Sequence, residues 1–241
     1  MMFRRLPRAR APAPPERRRP VPPPAPARSV VTAVPLAHVE LGGRGDRPPL
    51  VLLHGLFGSH SNFQTVAKAL VRRGSGKVLT LDARNHGSSP HSPLMTYEAM
   101  SLDVQHLLTR LGITKCILLG HSMGGKTAMT LALQRLPQLR QFLLTNLVEV
   151  EGRYLWRMNL EAISHHLADM MDFPVFHKPY PGPALFLGGS KSPYISSKDY
   201  PEIQRLFPKA DVQYIEGAGH IVHQDKFEEF ITAVLNFLPP P

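Results

Sequence analysis

Short apolar runs alternate with amphipathic helical stripes along most of this chain, from about Val30 onward. The two segments 63–71 and 100–111 repeat apolar residues at helical spacing, and residues 126–136 and 227–237 supply two further helices. Strands bounded by helices in this order form a mainly parallel sheet with helices on both faces. We therefore predict an α/β fold, with strands at 50–53, 78–81, 116–119, 184–187 and 212–215.

The positive charge lies mainly outside this pattern. The formal net charge is +10, and residues 1–39 hold eight arginines, one acid and 10 of the 25 prolines. Such a segment cannot join a helix or an inner strand, because proline lacks the N–H group that both need. We predict that residues 1–35 are a disordered, mitochondrial targeting segment and that residues 36–241 form the folded domain. A basic tail without a targeting role is the alternative.

Charge of this kind gives no reason to expect a nucleic-acid partner, because the folded part carries little of it. No apolar run approaches the roughly 18 residues that a transmembrane helix needs. The single cysteine, Cys116, excludes an internal disulfide.

One stretch interrupts the alternation. Residues 139–148 and the apolar stripe at 160, 163, 167 and 171 contain no clear succession of strand, turn and helix. An inserted helical layer, at about 148–180, fits this stretch better, and it would cover the strand ends where α/β sheets bind ligands.

The segment 115–127, KCILLGHSMGGKT, matches two catalytic motifs. Ser122 lies between two glycines in G-x-S-x-G, directly after a strand and before a helix, as in the nucleophile elbow of serine hydrolases. The same letters satisfy G-x-x-x-x-G-K-[ST], in which Lys126 and Thr127 would bind a phosphate. The local sequence fits both motifs.

Three features elsewhere favour the hydrolase. Two strand–helix units precede the motif, whereas a P-loop usually opens its domain. The apolar run that ends in an aspartate, 78–82, comes before the motif rather than after it. His54, in LLHGLFGS, and His220, in EGAGHIVHQD, follow strands, and the order serine then histidine is that of α/β-hydrolases.

Five segments together resemble the α/β-hydrolase superfamily, and in particular a mitochondrial branch of it and its bacterial esterase relatives. The resemblance covers about residues 36–240. It implies a serine hydrolase that cleaves carboxylic esters of lipid or acyl substrates. It also implies a location in the mitochondrial matrix and catalysis without a metal or an organic cofactor. The segments are LLHGLFGS (52–59), LDARNHGSSPHSP (81–93), GHSMGGKTAM (120–129), LLTNLVEV (143–150) and GAGHIVHQD (217–225).

The family pattern assigns a role to each motif residue. Ser122 is the expected nucleophile and His220 its general base, and the backbone N–H groups of Leu56 and Met123 are the expected oxyanion hole. His54 is expected to shape the loop that carries Leu56.

The acidic member of the triad is not evident. Relatives carry an aspartate after the strand that follows the elbow helix, or after the next strand, and this chain has neither: ALQRLPQLR runs directly into QFLLTNLVEV, and the run after 184–187 is GGSKSPY, with Ser190 and Lys191. We therefore predict that one sheet strand and an internal segment are missing. Glu161, in MNLEAI, lies where relatives have an aspartate on the helical layer. Its place beside Leu160 and Ile163 at helical spacing favours the alternative, a solvated flank of an amphipathic helix.

Two hypotheses follow from the missing acid. The chain is either a serine hydrolase with impaired turnover or a catalytically inactive, partner-binding module of the same fold. A P-loop nucleotidase is the least favoured alternative.

Overall fold

The computed structural model describes residues 31–42, 47–134, 139–145, 160–167, 170 and 172–239. Seven strands form one sheet in the order β1-β3-β2-β4-β5-β6-β7, in which β1 is antiparallel to β3 and the other neighbours are parallel. The strands are β1 His38–Leu41, β2 Leu50–Leu53, β3 Val78–Leu81, β4 Cys116–His121, β5 Leu139–Thr145, β6 Ala184–Gly189 and β7 Ala210–Ile215. The helices are α1 Gln64–Arg72, α2 Tyr97–Arg110, α3 Met123–Leu133, α4 Leu160–His165, α5 Tyr200–Leu206, α6 Val222–Asp225 and α7 Phe227–Phe237, with 3-10 turns at His60–Phe63 and Ser197–Asp199.

The central strands are buried on both faces. In β2, Val51 and Leu53 join an apolar cluster with α2 and α3, whereas Leu50 and Leu52 join a second cluster with α1 and α7. Successive side chains of a strand point to opposite faces, so a strand covered on both sides is a continuous apolar run. The predicted α/β class, with helices on both faces of a mainly parallel sheet, is confirmed.

Strand β5 was not evident in the sequence. It occupies residues 139–145, pairs with β4 on one side and with β6 on the other, and closes the sheet between them. The sequence analysis predicted no strand in 139–148, and the structure has one there. Its continuous apolar run is only three residues long, 142–144, and so short a run does not distinguish a strand from a helix. Unpaired backbone groups on β4 and β6 would be costly, and β5 pairs with both. That relatives possess a further strand stays a prediction.

The predicted helical layer is described in part. Helix α4 begins at Leu160, and Ile163 and Met170 pack against Met123 of α3. The remainder of 148–180 lies partly outside the described residues, as does the predicted targeting segment up to residue 30. In the described ranges, no helix combines the length and the apolar character that crossing a bilayer requires.

A buried ion pair joins three segments of the domain. Arg84 donates from Nε to Asp103 Oδ2 at 2.6 Å and from Nη2 to Asp103 Oδ1 at 2.7 Å, and both side chains are buried. Arg84 also donates to the carbonyl oxygens of Thr32 and Leu94, and the N–H of Val34 donates to Asp103 Oδ1. The pair thus fixes the N-terminal segment and the loop after β3 to helix α2.

Replacing Asp103 by alanine is expected to destabilise the domain by about 3–5 kcal/mol, because it leaves a buried guanidinium without its carboxylate. Urea unfolding measures the change. Arg205→Ala, which removes an exposed pair with Glu202, is the control and is expected to leave the urea midpoint unchanged. Equal losses in the two variants would contradict the role of the buried pair.

Candidate active site

Ser122 occupies a strained turn between β4 and α3. Its backbone has φ 48° and ψ −114°, a region that costs a residue with a side chain about 1–3 kcal/mol. The flanking glycines make the turn possible: a Cβ at Gly120 would lie 2.4 Å from the carbonyl oxygen of Gly124, and one at Gly124 would lie 2.1 Å from that of Leu53. The strand–turn–helix context that the serine motif needs is present.

Two backbone N–H groups lie beside this turn. A Cβ at Gly55 would be 3.4 Å from the Cβ of Ser122, so the loop after β2 packs directly on the elbow and places Leu56 next to it. Met123 is the first residue of α3, where an N–H has no partner within the helix. No hydrogen bond joins the N–H of Leu56 or Met123 to another residue of the described ranges. Donors in this position can stabilise an oxyanion.

His54 holds the Leu56 loop. The N–H of Ala83 donates to His54 Nε2 at 3.0 Å, so the ring proton is on Nδ1, which donates to the carbonyl oxygen of Gly55 at 2.7 Å. Burial, assisted by the nearby His86, lowers the pKa of His54 to about 3, so the ring stays neutral. This neutral imidazole links the loops after β2 and β3, in agreement with a loop-shaping role.

His220 lies in the loop between β7 and α6. Its Nδ1 is 3.3 Å from the Oγ of Ser192, its ring centroid is 4.0 Å from that of Tyr194, and its ring meets His121, the residue before Ser122, at 5.9 Å. The structure thus brings His220 beside the elbow. Within the described part of the chain, no hydrogen bond joins Ser122 Oγ to His220. Such contacts are often loose in unliganded enzymes and tighten when substrate binds.

The candidate acid of the sequence analysis, Glu161, and the polar residue after β6, Ser190, differ in what the structure describes of them. Glu161 lies on α4, but its side chain is outside the described residues, so its role stays a prediction. Ser190 accepts a hydrogen bond from the N–H of Gly217 at 2.8 Å and is a structural residue.

Ser192 is the residue that the sequence analysis missed. It follows β6, at the edge where the carboxyl ends of parallel strands meet and functional side chains collect. The sequence signal that could have indicated Ser192 was its position shortly after the buried strand β6. A carboxylate was expected after this strand, so only the first polar residues, Ser190 and Lys191, were considered.

The residues of the P-loop alternative have other contacts. Lys126 Nζ donates to the carbonyl oxygens of Met170, at 3.1 Å, and Asp172, at 2.9 Å, and Thr127 Oγ1 donates to that of Met123. Asp82 accepts from the N–H groups of His60 and Ser88. These side chains anchor loops and the helical layer, which argues against a phosphate cradle.

Comparison with known proteins gives a consistent result. A family model described as the alpha/beta hydrolase fold matches residues 48–146. The sn-1-specific diacylglycerol lipase ABHD11 of Xenopus tropicalis is 50% identical over 85% of this chain and 82% of its own length. Esterase YbfF of Escherichia coli is 30% identical over 79% of this chain and 92% of its own. A solved marine microorganism esterase superposes with a TM-score of 0.78 at 27% identity, covering 86% of this chain and all of that one.

The length of the frog alignment is informative. It extends over 262 positions, more than the 241 residues of this chain, so part of the aligned frog sequence has no counterpart here. This supports the prediction that an internal segment is lacking.

Buried imidazoles near the site predict a pH-dependent stability. His223 is enclosed by Phe63 and Phe230, and burial lowers its pKa from 6.5 to about 4. Because the unfolded state binds the proton more readily, the free energy of unfolding falls as the pH drops from about 6.5 toward 4. His223→Phe should reduce the difference in this free energy between pH 7.5 and pH 5 by roughly 2 kcal/mol.

Urea unfolding at the two pH values measures that difference. His177→Gln, at an exposed position, is the control and should leave it unchanged. An unchanged difference in His223→Phe would show that His223 is not responsible.

Proposed function

The chain belongs to the α/β-hydrolase family and is a serine ester hydrolase, and on this premise we propose that Ser122 is its nucleophile and His220 its general base. His220 takes the proton of the Ser122 hydroxyl as Oγ attacks the ester carbonyl carbon. The N–H groups of Leu56 and Met123 bind the resulting oxyanion. The C–O bond to the alcohol then breaks, His220 returns the proton to the alcohol, and water cleaves the acyl-enzyme by the same steps. The strained conformation of Ser122 is the observation that carries this proposal.

The proposed substrate is a diacylglycerol or a similar neutral lipid ester. The frog relative is named for that activity, and an apolar cluster that contains Met95, Met100, Met123 and Met170, with Leu56 packed against it, adjoins the elbow. Phe57, in the loop after β2, is 55% exposed and adds apolar surface. Flexible methionine side chains adapt to irregular apolar partners such as acyl chains.

The proposal includes a low turnover. An orienting carboxylate contributes about 10⁴ to the turnover of a serine hydrolase, whereas the oxyanion hole and substrate binding retain a smaller part. The frog relative contains residues that have no counterpart in this chain. It therefore has positions for an orienting carboxylate that this chain lacks. Glu161 is the candidate that the chain retains.

A fluorophosphonate probe tests the nucleophile. We expect labelling of the full chain and its loss in Ser122→Ala, with labelling retained in Ser164→Ala, an exposed serine on α4. Release of fatty acid from a diacylglycerol emulsion should follow the same order. Labelling that survives Ser122→Ala would reject Ser122, and the absence of labelling in a folded chain would support the inactive, partner-binding module.

We also propose that residues 1–35 direct the chain to the mitochondrial matrix. The arginine excess and the near absence of acids support this. Fused to a fluorescent protein, the segment should carry it into mitochondria, and replacing Arg4, Arg5, Arg8 and Arg10 by glutamine should abolish import. A fusion that remains in the cytosol would contradict the proposal.

A further inference from the structure

The hydroxyl of Ser192 lies where a general base needs a partner. A histidine that accepts a proton at Nε2 must hold its own proton on Nδ1, and the group bonded to Nδ1 sets this tautomer. In this structure Ser192 Oγ is 3.3 Å from Nδ1 of His220. The hydroxyl can accept from an Nδ1–H group.

The position of Ser192 is fixed by backbone contacts. A Cβ at Gly189 would lie 2.0 Å from the carbonyl oxygen of Gly219, so the end of β6 and the loop after β7 approach as closely as glycine allows. Three hydrogen bonds then join the two loops: Ser190 N–H to Ile215 O, Lys191 N–H to Ala218 O, and Gly217 N–H to Ser190 Oγ. A fourth, Ser192 N–H to Gly189 O, closes the turn that carries Ser192. The loop that carries Ser192 and the loop that carries His220 therefore form one unit.

Tyr194 completes this arrangement. Its N–H donates to Ser192 Oγ at 3.4 Å, and its ring stacks on the imidazole of His220 with centroids 4.0 Å apart and planes 37° apart. The hydroxyl and the imidazole are thus held by the same short segment. Tyr194 is itself exposed, so the stacked pair is open to solvent on the side of Tyr194.

We propose that Ser192 is a positioning residue, which accepts a hydrogen bond from Nδ1–H of His220 and so directs Nε2 toward Ser122. The inference rests on the proposed role of His220. A hydroxyl serves this purpose less well than a carboxylate, because it can also donate and so tolerates the wrong tautomer, and because it carries no charge to stabilise an imidazolium. The chain thus uses a Ser122–His220–Ser192 arrangement.

Three substitutions at one position test the proposal. With a water-soluble ester, Ser192→Ala should lower kcat roughly tenfold at unchanged KM, and Ser192→Thr should restore it. Ser192→Asp should raise kcat by about ten- to 100-fold. It should also move the acidic limb of the kcat/KM profile to higher pH, because a carboxylate stabilises the protonated imidazole. Ser197→Ala, an exposed serine in the next turn, is the matched control and should match the parent.

The outcomes separate this proposal from the proposed function. If Ser122 is labelled by the fluorophosphonate but kcat and the pH profile are the same in Ser192→Ala, Ser192→Asp and the parent, the role of Ser192 is overturned and the hydrolase function stands. It is likewise overturned if Glu161→Gln lowers kcat by about 10⁴ and Ser192→Ala does not. If neither the parent nor Ser192→Asp labels at Ser122, both proposals fail. Activity that appears only in Ser192→Asp would support the inference. Melting temperatures near that of the parent show that each variant is folded.

Discussion

The close approach of three backbone segments at the elbow is the constraint on which the rest of the site depends. The end of β2, the end of β4 and the first turn of α3 meet at distances that exclude any side chain at Gly120 or Gly124. This contact forces Ser122 into a conformation of positive φ, at a cost of about 1–3 kcal/mol. Burial of apolar side chains on both faces of the sheet, where the helices cover it, offsets this cost in the free energy of folding.

The parallel sheet brings the other groups to the same edge. Leu56 follows β2, Ser122 follows β4, Ser192 follows β6 and His220 follows β7. Neighbouring strands that run in one direction end side by side, so residues distant in sequence converge without any contact of their own. One polar partner of His220 in the described ranges is the hydroxyl of Ser192, which lies beside Nδ1, the ring nitrogen that bonds a carboxylate in a serine–histidine–aspartate triad.

Local patterns were sufficient for the fold class, the elbow and the position of His220. Continuous apolar runs and glycines at fixed offsets depend on chemistry within a few residues, and these can be read from one sequence. Strand β5 was missed because its place depends on the unpaired edges of β4 and β6, which belong to other segments. Ser192 was missed because its contact with His220 spans 28 residues and involves a residue type that has no preferred catalytic spacing. The proton position on His54 depends likewise on an N–H group 29 residues away.

The buried pair of Arg84 and Asp103 limits how far the N-terminal segment can be shortened without loss of stability. Its hydrogen bonds include the carbonyl oxygen of Thr32 and the N–H of Val34, which are among the first residues of the described domain. A chain that began after Val34 would lack two partners of this charge pair, and groups of the pair would be left buried and unsatisfied. The part of the N-terminal segment that the fold needs therefore extends back to Thr32, ahead of the boundary at residue 36 that the sequence pattern indicated.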